Sequence, residues 1–345
     1  MKRLSIVTDA WSPQVNGVVV TLESTVAELA RLGYDVDVVS PEGFATMPMP
    51  SYPEIPLALL PGRQVARRID AFAPDDVHIA TEGPLGLAAR RHCLRTGQPF
   101  TTAYHTQFPE YIHARCRLPS AWSYAWLRRF HAPSSAVMCA TRSIAQRLVA
   151  HGFANVVHWS RGVDSTLFRP APREARPAER PIFLYVGRIA VEKTLSAFLA
   201  LDLPGTKWIV GDGPARASLQ REFRGAHFFG TKQGRDLAWH YQQADVFVFP
   251  SRTDTFGLVL IEAMACGTPV AAYPVAGPLD VVDDASAGVL DEDLGTAALA
   301  ALKLDREAVH RFAARYSWQT ATREFIAHAH PRVSRRSDTV VLDGD

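Results

Sequence analysis

Short apolar runs of β character alternate along the chain with stretches whose apolar positions repeat at helical spacing. Leu4–Thr8 is the first such run. A turn-rich loop, Trp11-Ser12-Pro13-Gln14-Val15-Asn16-Gly17, separates it from a helix predicted over about Thr21–Leu32, which stops at Gly33. A strand over Tyr34–Ser40 follows and ends at Pro41-Glu42-Gly43. Further strands are predicted over Asp76–Ala80, Phe100–Tyr104 and Val137–Ala140, with one helix opened by Gly83-Pro84 and another over Ser143–Gly152. Strand followed by helix, repeated, predicts parallel βαβ units with helices on both faces of the sheet, an α/β fold.

The alternation breaks once. Residues 169–181 hold four prolines, several Arg and Glu and no apolar period, which reads as a linker. A second α/β series starts beyond it, with strands predicted over Ile182–Val186, Trp208–Val210, Val246–Phe249 and Pro269–Ala272. The expected organisation is a first domain over 1–168, a linker over 169–181 and a second domain over 182–310. A final helix over 311–330 comes after the second core is complete and is expected to return to the first domain. Residues 331–345 carry no core pattern and are expected to form a frayed tail.

A chain of 345 residues suits two such domains. The net charge of +2 argues against a dedicated nucleic-acid binder. Cys93, Cys116, Cys139 and Cys266 are scattered without metal-ligand spacing and read as reduced core thiols of a cytoplasmic protein. The first apolar run is cut off at Asp9, too short for a signal peptide, and no stretch is long enough to span a bilayer. Membrane contact is therefore expected to be peripheral at most. Its candidate is the segment Tyr111–His131, where Trp122 and Trp126 lie one helical turn apart with Arg128 and Arg129 beyond them. The same pattern also fits a partly buried amphipathic helix with snorkelling arginines.

Two segments carry the strongest chemical signal. In Phe249–Val270 a predicted strand ends, a polar loop follows and a helix begins near Gly257, so the backbone amides of Thr255, Phe256, Gly257 and Leu258 form an anion-ready helix start. Asp254 and Glu262 flank it; at helical rise they would lie about 12 Å apart, the length of a sugar–diphosphate–ribose unit. A core helix with a polar start reads the same way in isolation. In Val186-Gly187-Arg188-Ile189-Ala190-Val191-Glu192-Lys193 the first strand of the second half ends, so Arg188 and Lys193 stand at the ligand edge of a parallel sheet and can converge on a diphosphate. Surface ion pairs, with Glu192 as partner, are the bland alternative.

These segments, with Asn16-Gly17, Arg161-Gly162-Val163-Asp164, Phe168-Arg169-Pro170 and Gly211-Asp212-Gly213-Pro214, resemble the GT-B glycosyltransferases of family 4 in order and spacing. The resemblance implies two facing Rossmann-like domains with parallel sheets, a nucleotide-sugar donor held mainly by the second, and hexosyl transfer with retention. By motif matching it implies that Arg188 and Lys193 bind the diphosphate, Glu262 the ribose and Asp254 the transferred hexose. Gly17, Gly187, Gly211 and Asp212 would lie along the donor, and Phe228-Phe229-Gly230-Thr231-Lys232 would hold the base. A histidine in the loop of His105 approaches the transferred sugar or the acceptor in this family, although a lone histidine is readily structural. Glu82, at another predicted strand end, either contacts the acceptor or favours the following helix start.

Three residues depart from the family pattern: Asp254 where Glu is usual, Arg161 where Asn is usual and Thr194 where Asn is common. The first bears on the hexose contact and donor preference. With two cations and a helix start at the diphosphate, no metal or other cofactor is expected. Asp35-Val36-Asp37 begins a strand, the wrong edge for a ligand, and Asp291-Glu292-Asp293 reads as a solvated loop. The expected partners are a nucleotide-sugar and a glycan or lipid acceptor, with a glycolipid favoured. UDP-glucose, UDP-glucuronate and GDP-mannose all fit as donors. A phosphorylase, an epimerase, a catalytically inactive nucleotide-sugar binder or a membrane-binding module are the rival readings.

Overall fold

The computed structural model describes residues 1–49, 52–105, 120–174 and 179–329. In chain order the first unit runs β1 (Arg3–Val7), α1 (Gly17–Arg31), β2 (Asp35–Val39), an antiparallel hairpin of β3 (Thr46–Met49) and β4 (Tyr52–Ala58), α2 (Gly62–Phe72), β5 (Asp76–Ile79), α3 (Pro84–Thr96), β6 (Phe100–Tyr104), α4 (Ser120–His131), β7 (Val137–Cys139), α5 (Arg142–Ala150) and β8 (Val156–His158). Six of its eight strands pair in parallel in the order β2-β1-β5-β6-β7-β8.

The second unit runs β9 (Ile182–Val186), a 3₁₀ turn over Val191–Lys193, α6 (Leu195–Leu199), β10 (Thr206–Val210), α7 (Arg216–Glu222), β11 (Ala226–Gly230), α8 (Gly234–Gln243), β12 (Val246–Phe249), α9 (Leu258–Ala265), β13 (Val270–Ala272), α10 (Pro278–Val281), β14 (Gly288–Leu290), α11 (Leu294–Ala301) and α12 (Arg306–Ala313). Its strands are again all parallel, in the order β11-β10-β9-β12-β13-β14.

The period of two along each strand sends side chains to opposite faces, so each sheet has a core on both sides. Ile182 and Leu184 of β9 join one cluster with Ile261 and Met264 of α9, while Phe183 and Tyr185 join the other with Phe198 and Ala298. In the first unit Leu4 and Ile6 pack with Leu22, Leu29 and Trp159; Val7, Val77 and Ile79 pack with Leu85 and Phe130.

Helix α13 (Trp318–Ala329) sits on the first sheet: Phe325 and Ala329 belong to its core, and Gln319 Nε2 donates to Glu28 Oε1 of α1 at 3.3 Å. The crossing is close, because a methyl at Gly162 would fall 2.2 Å from Trp318 N.

Two details go beyond what periodicity and composition predict. Helix α1 starts at Gly17, ahead of the Thr21 expected from periodicity, because Asn16 Oδ1 accepts from the amides of Val18 and Val19 and so nucleates the helix over a valine run. The described parts of 169–181 lie along the second unit. Gln242 Nε2 donates to Arg169 O at 2.9 Å, Glu174 N donates to Gln243 Oε1 at 2.8 Å, and Arg180 pairs with Asp245 at 2.8 Å. Cys93, Cys139 and Cys266 are buried thiols, each pushed by burial up to about 12. Cys116, Tyr111 and residues 331–345 lie outside the described residues. Among the described residues no helix is long and apolar enough to cross a membrane.

Candidate active site

The second sheet reverses its strand order between β9 and β12, and the crevice beyond their carboxyl ends is where an open α/β sheet takes ligands. Gly187–Lys193 leaves one strand and Pro250–Gly257 the other. The two loops are fastened to each other: Thr194 Oγ1 donates to Pro250 O at 2.6 Å, Thr253 Oγ1 to Glu192 O at 3.5 Å, and Lys193 Nζ forms an ion pair with Asp254 Oδ1. Tyr185 OH, beneath them, donates to Arg188 O at 2.8 Å. Burial drives the Tyr185 phenol up; Lys193 opposes that, while Asp254 and Glu192 reinforce it, so all three charged groups lie within electrostatic reach of one hydroxyl.

A third loop closes the crevice from the β10 side. A methyl at Gly211 would fall 1.9 Å from the Gly187 carbonyl oxygen, at a φ of +138 that L side chains avoid, so only glycine permits this approach. Gly187 N donates to Val210 O at 3.0 Å and Ile189 N to Asp212 O at 2.8 Å. The exposed Asp212 carboxylate accepts from Gly213 N at 2.7 Å and pairs with Arg216 at 2.7 Å, contacts that hold its pKa down. The structure engages this carboxylate in its own turn.

Helix α9 begins with Gly257 in the left-handed region (φ 85), and among the described residues no side chain caps it. Among the described residues the amides of Thr255 to Leu258 meet no hydrogen-bond acceptor, which leaves the positive helix end beside the Lys193–Asp254 pair. The first unit reaches this point directly. A methyl at Gly17 would lie 3.6 Å from Leu258 Cδ1, so the starts of α1 and α9 face each other. Thr255 Oγ1 donates to the His105 carbonyl at 2.8 Å, Thr141 Oγ1 to Thr255 O at 3.3 Å, and the amide of Ser143 to Asp280 at 3.2 Å. Phe256 is buried against Tyr316.

Glu262 lies one turn into α9. Because residues 254–257 are not helical, the 12 Å ruler drawn from helical rise does not apply between the two carboxylates. Tyr241 OH donates to Glu262 Oε2 at 2.9 Å, and burial pushes the carboxyl up to about 7 against that hydrogen bond. Phe229 and Lys232, in the stretch read as holding the base, line a surface cavity of about 310 Å³ with Trp239 and His240.

His105 follows directly on β6 with its ring edge-on to Trp159, and Arg161 Nη2 reaches its Nδ1 at 3.3 Å. Burial first, then Arg161 and His78, hold its pKa well below the ordinary value. Glu82 Oε1 is 3.2 Å from Nε2 of the buried His131, whose Nδ1 meets Thr102 Oγ1 at 2.9 Å.

Two residues here have roles that the sequence does not assign them. Asp9, seen there only as the end of an apolar run, is buried; its Oδ1 accepts from Leu85 N at 3.0 Å and its Oδ2 from Thr81 Oγ1 at 2.8 Å. It therefore caps α3, the service Glu82 was considered for. Arg161 is buried as well; its motif position was the available signal.

The acidic pairs considered for metal take other partners. Asp35 meets Arg3 and Asp37 meets Arg68. Asp293 caps α11, and Glu292 pairs with Arg252.

Two facing parallel sheets, with a cationic, amide-lined switch point aimed at the opposite unit, define the architecture of a GT-B glycosyltransferase. Comparison with known proteins agrees. Residues 15–167 match the Glycosyltransferase Family 4 model and residues 180–304 the Glycosyl transferases group 1 model. A GDP-mannose-dependent alpha-mannosyltransferase of Mycolicibacterium smegmatis is 33% identical across 97% of this chain and 99% of its own length. The sulfoquinovosyl transferase SQD2 of Arabidopsis thaliana is 32% identical across 71% of this chain and 52% of its own. Among solved structures, Anabaena Alr3699/HepE in complex with UDP-glucose superposes with a TM-score of 0.72 over 95% of this chain and 99% of that one, at 14% identity. The chain belongs to the family 4 glycosyltransferases of the GT-B fold, and it is a hexosyltransferase that uses a nucleotide-sugar donor.

Proposed function

We propose that this chain transfers mannose from GDP-mannose, with retention, to a hydroxyl of a glycolipid acceptor. The observation that carries the reading is the Lys193–Asp254 ion pair beside the uncapped start of α9. A diphosphate entering there competes for Lys193 and takes the helix amides; the released Asp254 carboxylate can then accept from hexose hydroxyls. Arg188, on the same loop as Lys193, adds the second cation, and Glu262 accepts from the ribose.

In the transition state the bond from the anomeric carbon to the diphosphate breaks and the bond to the acceptor oxygen forms on the same face. The acceptor proton passes to the departing phosphate oxygen. Catalysis comes from stabilising the charge that gathers on that diphosphate, and Lys193, Arg188 and the α9 start supply the field without a metal.

The choice of mannose has the support of the mycobacterial relative, which matches along nearly its whole length. The likeness to the sulfoquinovosyl transferase supports a second reading, a donor sugar other than mannose. For the acceptor side, α4 presents Trp122 at 77% exposure and Trp126 at 49%, with Arg128 and Arg129 exposed in its last turn, a surface suited to an anionic lipid interface.

Thermal shifts with GDP-mannose, UDP-glucose and UDP-glucuronate test the donor. GDP-mannose at a hundredfold excess over its Kd is expected to stabilise the protein by about 2.7 kcal/mol. Stabilisation by the UDP-sugars alone would overturn the choice, and an inverted anomeric centre in the product would overturn retention.

A further inference from the structure

Arg161 replaces the asparagine usual in its motif, and it is only 4% exposed. Its Nη1 donates to Trp159 O at 2.6 Å and to Ser160 O at 2.9 Å, and its guanidinium lies 4.3 Å over the Trp159 ring. The other arm, Nη2, meets Nδ1 of His105 at 3.3 Å. A guanidinium can only donate, so Nδ1 must present its lone pair and the ring proton must sit on Nε2. That Nε2 is itself buried and has no hydrogen-bond partner among the described residues. The His105 carbonyl is held by Thr255 next to the α9 start, which fixes the residue at the junction of the two units.

We propose that Arg161 is a positioning residue that locks His105 as the neutral Nε2–H tautomer, so that His105 donates a hydrogen bond to a substrate oxygen and does not act as the base toward the acceptor hydroxyl. The inference rests on the reading of this cleft as the transfer site, and it requires the acceptor proton to leave by way of the departing phosphate.

The titratable groups acting on the ring are Arg161 from the segment after β8 and His78 from β5. The loop before α9 contributes uncharged Thr255, with the Asp254–Lys193 pair adjoining it. Arg161 itself, with its pKa lowered by burial to about 10 against the opposing pull of Cys139 and Glu324, stays charged at neutral pH. Both neighbours disfavour an imidazolium, so removing Arg161 must raise the His105 pKa.

The test is long-range ¹H–¹⁵N correlation on the full chain carrying ¹⁵N-histidine, recorded from roughly pH 5 to 8 and assigned with His105→Gln. The wild type is expected to show His105 as Nε2–H without titrating. Arg161→Met is expected to give mixed tautomers and a midpoint raised toward that range, and Arg161→Lys to restore part of the lock. A wild-type His105 protonated at Nδ1, or titrating near its ordinary value, overturns the lock, and this needs neither a folded Arg161 variant nor a known donor. Arg161→Met is also expected to lower kcat about tenfold at neutral pH and leave the donor KM nearly unchanged, with part of the loss recovered along the kcat–pH profile as pH falls, because the imidazolium carries the Nε2–H in every molecule. Superimposable profiles for wild type and Arg161→Met, with the tautomer shift seen, would show that the lock does not serve the reaction.

Discussion

Each sheet reverses its strand order once, between β1 and β5 in the first unit and between β9 and β12 in the second, and the two crevices are finished in opposite ways. In the first, the positive end of α3 is occupied from within. Asp9 arrives from the end of β1 and accepts from Leu85 N and Thr81 Oγ1, and a methyl at Gly83 would fall 2.5 Å from its carboxyl carbon. Burial raises the Asp9 pKa more than these hydrogen bonds lower it, so the carboxylate is desolvated for a structural end. In the second, α9 has no capping side chain among the described residues, and Asp254, just ahead of it in the chain, is turned to Lys193. Two sheets of the same type thus differ in where one carboxylate is spent. A helix end filled by the chain's own anion stabilises the fold; one left uncapped beside a cation can take a diphosphate.

The largest effect that tests this contrast is expected from Lys193→Ala. Turnover should fall by about two orders of magnitude or more, while the melting temperature changes little, as steady-state transfer and thermal melts would report. Turnover at the wild-type rate would remove the second crevice from the chemistry. Asp9→Ala should act the other way round. It orphans the Leu85 amide and the α3 start, so urea unfolding should show a loss of about 2–3 kcal/mol with donor affinity nearly unchanged. A Kd that weakens more than stability would mean that the first crevice also meets the donor.

The smallest effect on function comes from Glu262, whose carboxyl is pushed up to about 7 in the folded chain against an ordinary 4.5. Ribose hydroxyls donate best to the ionised form. Donor affinity should therefore weaken as pH falls through about 7, by at most about tenfold per unit, and Glu262→Gln should flatten the dependence. The stability linkage has the opposite sign. A folded pKa above the unfolded one means that the native state binds the extra proton between about 4.5 and 7. The contribution of this group is fully present below that window and is lost as pH rises through it, on the order of 3 kcal/mol. Denaturation of wild type and Glu262→Gln at the two ends of the window would check it.

The α/β class and the strands β6, β9 and β12 were legible because a buried parallel strand is a short apolar run closed by turn residues, a signal contained in a handful of neighbours. The hairpin β3–β4 gave no such signal. Pro48 pairs with Pro56 there, and prolines read as loop in a linear scan although an edge ribbon tolerates them. For the site, the loops that carry Lys193 and Asp254 could be singled out as chemistry, since each joins a strand end to a helical turn. Their pairing with one another could not, because the partners are sixty-one residues apart and meet only through the strand order. Asp9 was harder still: nothing near it in sequence hints at an acceptor role toward an amide seventy-six residues later.

The amino-acid sequence alone determined the succession of elements, the family and the two cationic and acidic loops, because those depend on local periodicity and on motifs of adjacent residues. Only the tertiary structure decided which helix end is plugged by Asp9 and which stays uncapped, that Glu262 lies under Tyr241, and that Arg161 reaches the ring of His105. Each of these depends on hydrogen bonds and desolvation between segments far apart in the chain, and such terms have no value until the sheets have folded and brought the groups together.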